Sequence, residues 1–303
     1  MKKAPKKPSV RAVDSELIRA PIKRMGYIFL LPTFAAFCIG FLYPFVQGIY
    51  LSFCKFTTTS DASWVGFSNY IAAVKDPGLR HAFGFTVLVT IASLILINLF
   101  AFFVAYALTR GIKGSTLFRG VFFMPNLIGG IVLAYIWKMI FSSLMPRDIH
   151  LDQTLGYWAL IIVICWQQIG YMMIIYIAGL QAIPGDMLEA AKIDGANGWQ
   201  SLVHVTIPQV MPSVTICTFL TLTNSFKLFD QNMALNGGDP SVRMAGTKLK
   251  TTEMLALNIY NTFYGASTTA RGVGQAKAVL FFILVAVIAL AQLRLTRDKE
   301  VQR

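Results

Sequence analysis

Charged residues are scarce in this sequence of 303 residues, and their scarcity excludes an ordinary soluble domain. Only 14% of the residues are charged and 55% are hydrophobic, and the mean hydropathy is +0.60. About a quarter of the residues in a soluble globular domain are charged. The composition is therefore that of a polytopic membrane protein, and the usual relation between length and number of soluble domains does not apply.

The residues needed for catalysis, metal binding and nucleotide binding are missing or scattered. No GxxxxGK[ST] sequence occurs, so the chain lacks this phosphate-binding loop. The three histidines are far apart, and the four cysteines lie in or beside apolar runs without a CxxC pair. We therefore expect no enzymatic activity, no catalytic residue, no metal site and no cofactor.

The net charge of +13 is unevenly distributed, and this argues against a nucleic-acid partner. Residues 1–24 contain eight Lys or Arg residues against Asp14 and Glu16, with no aromatic residue among them for base stacking. A basic segment before a first apolar run is typical of a cytoplasmic tail. We expect residues 1–24 to form such a tail, and both termini to be cytoplasmic.

Six apolar segments are long enough, or nearly so, to cross a bilayer, which takes about 20 helical residues. They are residues 27–53, 83–108, 120–141, 156–180, 210–229 and 278–293. The sequence thus predicts an all-α fold with six transmembrane helices within residues 25–296, followed by a cytoplasmic tail at 297–303. Lys277 and Arg294 flank the last segment, and we expect their stems to snorkel to the two interfaces.

The segment at residues 184–212 is amphipathic and lies between two apolar runs. Asp186 and Glu189 have the spacing of a capping box, which predicts that a helix begins at Asp186. Gly195 stands where that helix would end in the left-handed conformation, and residues 199–207 have the pattern of a second short helix. The segment is therefore predicted to be a helix, a glycine turn and a helix on the aqueous side of the membrane.

This segment resembles the cytoplasmic EAA loop of permease subunits in binding-protein-dependent ABC importers. The matching positions are Glu189, Ala190, Ala191, Asp194, Gly195, Ala196, Ile207, Pro208 and Pro212. Residues 64–70 are similar to the outer loop after the first span in that family. Tyr43-Pro44-Phe45 and the basic tail resemble the first-permease type of the maltose-type and multiple-sugar importers.

The resemblance, which covers most of the chain, implies a type I importer permease fold in a bacterial cell membrane. It implies a second permease subunit as heterodimer partner, two ATPase subunits that hydrolyse ATP, and an extracytoplasmic solute-binding protein. This chain would supply half of the path for a sugar or oligosaccharide. The loop at residues 184–208 would couple it to the ATPase through Glu189, Ala190, Ala191, Asp194, Gly195 and Pro208.

Polar side chains within the predicted spans are candidates for lining a solute path. They are Asn126, Gln167, Gln168, Tyr171, Tyr176 and Asn224. Amides inside a membrane face partners or a cavity, and they equally serve to bridge helices. As an uncharged set they suit a neutral, hydroxyl-rich solute. Gly129 and Gly130 fit either a bend in the third span or the close approach of another helix.

Three alternatives remain open. An importer permease for a glycerol phosphate ester would use Arg or Lys in the path, and the spans are poor in both. A secondary transporter without an ATPase would need a coupling carboxylate within a span, and none is evident. A membrane anchor or sensor subunit would conduct no solute. The sequence does not identify the sugar, the ATPase or the role of residues 231–276, within which residues 252–264 have helical spacing.

Overall fold

The computed structural model describes residues 28–145, 148–244, 247–265 and 270–297, and most of them are helical. The predicted tail at residues 1–24 lies outside the described residues, as does all but the first residue of the tail at 297–303. The chain divides into two compact units, residues 1–51 and residues 52–303.

The first unit contains the helix α1 (Ile28–Ser52), which continues to the first residue of the second unit. A π-helical stretch at Cys38–Leu42 interrupts its regular hydrogen bonding. The rings of Phe37, Phe41 and Phe45 stack at four-residue spacing along one side. The long apolar side chains of α1 are mostly exposed, as in a helix that is surrounded by hydrocarbon rather than packed in a soluble core.

The second unit is helical, with two small antiparallel hairpins. Its helices are α2 (Ser68–Lys75), α3 (Pro77–Leu108), α4 (Ser115–Phe123), α5 (Gly130–Leu144), α6 (Gln153–Gln181), α7 (Gly185–Ile193), α8 (Gly198–Gln209), α9 (Met211–Phe226), α10 (Asp230–Leu235), α11 (Leu255–Phe263) and α12 (Arg271–Arg297). Strand β1 (Cys54–Lys55) pairs with β2 (Ser63–Trp64), and β3 (Ser241–Met244) pairs with β4 (Thr247–Lys250).

The helices α3 and α6 pack together along their length and form the centre of the core. Phe85 contacts Tyr157 near their first turns, and Phe102 contacts Tyr176 near their last turns. The two helices therefore run in the same direction. Small residues and β-branched residues on α3 and α6 are fully buried at this contact, which lets the two helix backbones approach closely.

The helix α9 runs in the opposite direction, whereas α12 runs in the same direction as α3 and α6. Ser213 at the start of α9 lies against Gly179 near the end of α6. Lys277 near the start of α12 bonds to Asp76, which caps the start of α3. The second unit therefore has two ends. We call them the network end, where α3 and α6 begin, and the loop end, where α7 and α8 follow α6.

Four helices, α1, α3, α6 and α12, are long and apolar enough to cross a membrane. The number rises to six if each of two bent helix pairs counts as one span. The axis of the Ser115–Leu127 segment, which contains α4, makes an angle of 100° with the axis of α5. The axes of α8 and α9 differ in direction by 67°. The helical, membrane-compatible character predicted from the sequence is confirmed, and the count of six spans stays a prediction.

The bend between α4 and α5 shows what Gly129 and Gly130 do. A 3₁₀ turn follows α4, and Gly129 then takes an extended ψ of 137° before α5 begins at Gly130. A Cβ on Gly130 would lie 2.9 Å from Asp230 Cβ and 3.0 Å from Gln231 Nε2. The glycine pair therefore both permits the bend in the third apolar segment and leaves room for the close approach of α10.

Candidate functional site

The helices α7 and α8 and the turn between them form an exposed loop at the loop end, and it contains the predicted coupling residues. The amide of Gly195 donates to Lys192 O at 3.1 Å, and the amide of Ala196 donates to Ala191 O at 2.9 Å. These two bonds form a Schellman C-cap. Gly195 has a φ of +78°, and no atom lies within 4 Å of an added Cβ. Backbone conformation, rather than space, therefore requires the glycine.

The predicted start of α7 at Asp186 is wrong. The helix begins at Gly185, with Pro184 at the N-cap position, and Asp186 lies inside the first turn. Pro184 has a φ of −59° and a ψ of 134°, which leads the chain into a helix without a side-chain cap. A capping box does occur at the start of α8. There Asn197 Oδ1 accepts from Gln200 N at 2.9 Å, and Gln200 Oε1 accepts from Asn197 N at 2.8 Å.

The side chains of this loop are available to another protein. Of the predicted coupling residues, four are exposed (Glu189, Ala190, Asp194 and Gly195), and two are half-buried (Ala191 and Pro208). Ile193 and Trp199 are 86% and 70% exposed, which is unusual for large apolar side chains on a segment predicted to lie in water. Exposed apolar groups beside free charges are typical of a protein–protein contact surface.

The loop is attached to the bundle through the second half of α8. Leu202 and Thr206, in a π-helical stretch, are buried. Pro208 lines a cavity of about 310 Å³ together with Gly179 and Ser213. The conformation of the exposed part of the loop is therefore stabilised by its own helix caps. Only the ends of the loop pack against the bundle.

Half-way along α6, Gln167 connects three separate segments. Its Nε2 donates to Ile128 O at 3.1 Å, in the break between α4 and α5, and its Oε1 accepts from Gln231 Nε2 at 2.5 Å. Both glutamines are buried. Gln231 was not predicted from the sequence, because hydropathy assigns it to a loop after the fifth apolar run. The only sequence signal was an amide close behind that run.

The other path candidates are not gathered around this pair. Asn126, Gln168, Tyr171 and Asn224 are half-buried, and in the described part of the chain no hydrogen bond joins them to Gln167. Gln168 Oε1 is buried and has no hydrogen-bond partner among the residues that the structure describes. Within the same described residues, no group of three His, Cys, Asp or Glu side chains is placed to hold a metal ion.

Tyr176 bridges helices, which is one of the two roles that the sequence left open. Its hydroxyl donates to Asn98 Oδ1 at 2.8 Å, and Asn98 Nδ2 donates to Leu94 O at 2.8 Å and lies 3.4 Å from Thr221 Oγ1. This set of bonds ties α3 to α6 and α9. Asn98 is the one amide residue of the apolar segment at 83–108, and the sequence pattern gave no sign of this role.

At the network end, a lysine is buried in a group of polar side chains that we call the lysine cluster. Lys277 Nζ lies 2.5 Å from Asp76 Oδ2, 2.9 Å from Asn258 Oδ1 and 2.7 Å from Thr262 Oγ1. Asn258 Nδ2 donates to Glu253 Oε2 at 2.7 Å. Lys277 is 2% exposed. The prediction that its stem snorkels to the interface is therefore wrong, because a carboxylate neutralises the ammonium inside the protein.

Asp76 joins this cluster to the start of α3. Its carboxylate accepts from the amide of Gly78 at 2.9 Å and so caps the helix. Burial on its own raises the pKa of this carboxyl, but the hydrogen bond and charge of Lys277 outweigh burial and hold the pKa below its ordinary value. The cluster thus fixes the first turn of α3 against α11 and α12.

Comparison with known proteins decides what kind of molecule presents this loop. A family model described as a binding-protein-dependent transport system inner membrane component matches residues 109–300, more than half of the chain. The chain belongs to this family. The resemblance seen in the EAA loop is thereby confirmed at the level of the family, which consists of transport permeases and not enzymes.

Two relatives extend the similarity over nearly the whole chain. A probable starch degradation products transport system permease protein from Thermoanaerobacterium thermosulfurigenes is 39% identical over 287 residues, which are 91% of this chain and 95% of that one. A multiple sugar-binding transport system permease protein from Streptococcus mutans is 31% identical over 292 residues, which are 92% of this chain and 97% of that one.

Solved structures confirm the fold of an ABC importer permease. A chain of a bacterial ABC transporter that imports the acidic polysaccharide alginate superposes with a TM-score of 0.75 at 19% identity, covering 95% of this chain and all of that chain. The same kind of transporter, in complex with a periplasmic protein bound to alginate pentasaccharide, superposes with a TM-score of 0.74 at 19% identity, covering 93% of this chain and 98% of that chain.

Proposed function

We propose that this chain is a transmembrane permease subunit of an ATP-driven importer, and that it forms half of the translocation path for a sugar or oligosaccharide. The observation that carries the proposal is the 39% identity, over 91% of the chain, to a permease for starch degradation products. The multiple-sugar relative supports the same solute class. The buried polar groups near the middle of α6 are uncharged amides, which suit a neutral solute rich in hydroxyl groups.

The proposed importer contains four kinds of subunit. This permease pairs with a second permease, two ATPase subunits bind on the cytoplasmic side, and a solute-binding protein docks on the other side. A structural neighbour that was solved together with its periplasmic binding protein supports the last of these partners. The chain would lie in the inner membrane with six spans and with both termini in the cytoplasm.

The loop of α7 and α8 is proposed to couple ATP hydrolysis to transport. Closure of the ATPase dimer moves the loop, and the permease pair changes from inward-open to outward-open. A lever of this kind must be stiff, and the Schellman cap at Gly195 and the capping box at Asn197 provide that stiffness. Glu189 makes a charge contact with the ATPase, while Ile193 and Trp199 supply apolar contact area.

The path for the solute is proposed to run beside the middle of α6. The Oε1 of Gln168 is enclosed and has no protein partner among the described residues, so its capacity to accept a hydrogen bond is unused until the path opens to a solute. Asn126, Tyr171 and Asn224 are half-buried and complete the proposed set. Gln167 and Gln231 satisfy each other and hold the neighbouring break in place.

A glycerol phosphate ester is the second candidate solute. An sn-glycerol-3-phosphate transport system permease protein from Brucella abortus is 27% identical over 296 residues. A phosphate ester requires cationic groups along its path, and neither α6 nor α9 contains Lys or Arg. The neutral sugar is therefore the better match. A transporter without an ATPase loses support, since the family depends on binding proteins.

The test is co-purification followed by ligand binding. The tagged chain is extracted from its native membrane in mild detergent, and we expect the ATPase, the second permease and the solute-binding protein to be identified with it by mass. The binding protein is then titrated with maltotriose and with glycerol 3-phosphate. Binding of the phosphate ester alone would contradict the sugar assignment. Recovery of a solitary chain that still conducts solute would contradict the importer assignment.

A further inference from the structure

A short helix at the network end presents an apolar stripe that the importer mechanism does not use. Phe67, just before α2, and Ile71 and Val74 within it are 69%, 55% and 60% exposed, and nearby Trp64 is 62% exposed. The opposite face of α2 packs on α12. Aromatic residues and an exposed apolar helix face at the end of a membrane bundle are typical of the boundary between headgroups and hydrocarbon. The exposed stripe of α2 therefore suits a helix that lies at the level of the lipid headgroups.

A groove of about 240 Å³ opens between α3 and α12 beside this helix. Its apolar lining includes Leu79 and Phe83 of α3, Leu280 and Leu284 of α12, and Val74 of α2. Phe83 is 42% exposed, so the groove opens sideways to the surroundings of the bundle. Its lining is almost wholly apolar and has room for part of one acyl chain.

Two exposed cations belong to the segments beside this groove. Arg80 lines the groove itself, and Lys75 is the residue after Val74 at the end of α2. The ion pairs of the described residues are His150 with Asp148 and Lys277 with Asp76. Neither Arg80 nor Lys75 therefore forms an ion pair with another described residue. Lys277 also reaches the groove, but Asp76 already neutralises it.

We propose that the groove binds one anionic phospholipid of the surrounding bilayer. An acyl chain lies between α3 and α12, and the phosphate group contacts Arg80 and Lys75. Three independent features point to this occupant: an apolar lining that matches hydrocarbon, two free cations that match a phosphate, and an interfacial helix that places those cations at the depth of the headgroups. The lipid would brace α3 against α12 beside the lysine cluster.

The site is separate from the coupling loop and from the amides of α6, so the proposal does not depend on which solute is imported. The principal competing occupant is a helix of the second permease. A permease helix would fill the apolar groove, but it would leave the two cations unpaired unless it carried an acidic residue at the same depth. A count of the lipid retained by charge variants and by a groove-filling variant distinguishes the two occupants.

The test counts retained lipid. The importer complex is reconstituted into nanodiscs of phosphatidylcholine and phosphatidylglycerol, released gently, and examined by native mass spectrometry for bound phosphatidylglycerol. Arg80→Gln is expected to lower retention about fivefold, the effect of one cation at an anionic membrane surface. The double variant Arg80→Gln with Lys75→Gln is expected to lower it about 25-fold. Leu280→Trp fills the groove and is expected to lower retention with both cations intact.

Two control variants isolate the site. Arg243→Gln removes an exposed charge on β3, outside the groove, and is expected to leave retention unchanged. Arg80→Lys keeps the charge and is expected to retain nearly as much lipid as the unaltered chain. Equal retention in Arg80→Gln and the unaltered chain, or an equal loss in Arg243→Gln, would overturn the proposal. Loss of the second permease from Leu280→Trp, with the lipid count unchanged, would show that a partner helix occupies the groove.

Discussion

The two ends of the second unit satisfy their polar groups in opposite ways. At the network end, Lys277, Asp76 and Glu253 are buried or half-buried and are joined through amides into a cluster closed within the protein. At the loop end, Glu189 and Asp194 are exposed. The side-chain hydrogen bonds of Asn197, Gln200 and His204 are local to α8, and no ion pair of the described residues lies at this end.

This difference separates polar groups that hold the fold from those that serve a partner. A charge that is buried must be paired within the chain, because a buried and unpaired charge costs several kcal/mol. An exposed charge contributes little to stability, so its arrangement on a stiff, capped loop requires another explanation. Substitutions at the network end should therefore lower stability, while those at the loop end should spare stability and impair transport.

Lys277→Met is expected to cause the largest loss of stability, because it leaves Asp76 without its counter-charge. Breaking a buried ion pair on one side costs about 3–5 kcal/mol, and we expect the lower end because Asp76 is 28% exposed. Thermal unfolding of the purified chain in a fixed detergent measures the effect. Arg294→Met, at an exposed position of the same helix, is the control. A loss no greater than in this control would remove the contrast between the two ends.

Gly195→Val is expected to impair coupling strongly at a moderate cost in stability. The left-handed conformation costs a residue with a side chain about 1–2 kcal/mol. Gly111→Val is a matched control, since Gly111 has a φ of +80° in another turn at the loop end and also has no atom within 4 Å of an added Cβ. Both variants should be destabilised equally. ATP-driven uptake should fall roughly tenfold or more in Gly195→Val alone, and equal uptake in the two variants would refute the special role of this turn.

Asn197→Ala is expected to reduce the stability of the first turn of α8 by about 1 kcal/mol, the usual cost of losing an N-cap. Because the cap is local, faster hydrogen exchange should be confined to the first turn of α8, including the amide of Gln200. Asn197→Ser, which retains a capping oxygen, should exchange at the original rate. Faster exchange throughout the core would show that the loop end is as integrated as the network end.

Much of the fold could be predicted because the membrane imposes a simple pattern. Long apolar runs between charged segments mark helices, so the segment at 83–108 lies within α3 and the segment at 156–180 within α6. The glycine turn at Gly195 was also predictable, since local hydrogen bonds alone create it. The start of α7 was not, because Pro184 directs the chain into the helix without the side-chain cap that Asp186 suggested.

Contacts between distant segments were beyond the sequence pattern. Lys277 lies 201 positions from Asp76, and nothing in the local composition of either segment indicates the other. The same holds for Gln231, which bonds to Gln167 across 64 positions. Hydropathy registers a lysine or an amide only as a break in an apolar run. Whether that break becomes an interface, a cluster or a path depends on which helices meet there.

Glu189→Gln is expected to have the smallest effect on stability, within about 0.5 kcal/mol, because it changes one exposed side chain. It should nevertheless weaken retention of the ATPase when the complex is purified at moderate salt, since one charge contact across the interface is lost. Asp186→Asn is the matched control, as it removes an exposed carboxylate from the same helix outside the proposed contact. If both variants retained the ATPase equally well, the charges of α7 would not be reserved for a partner, and the contrast between the two ends would reduce to a difference in burial.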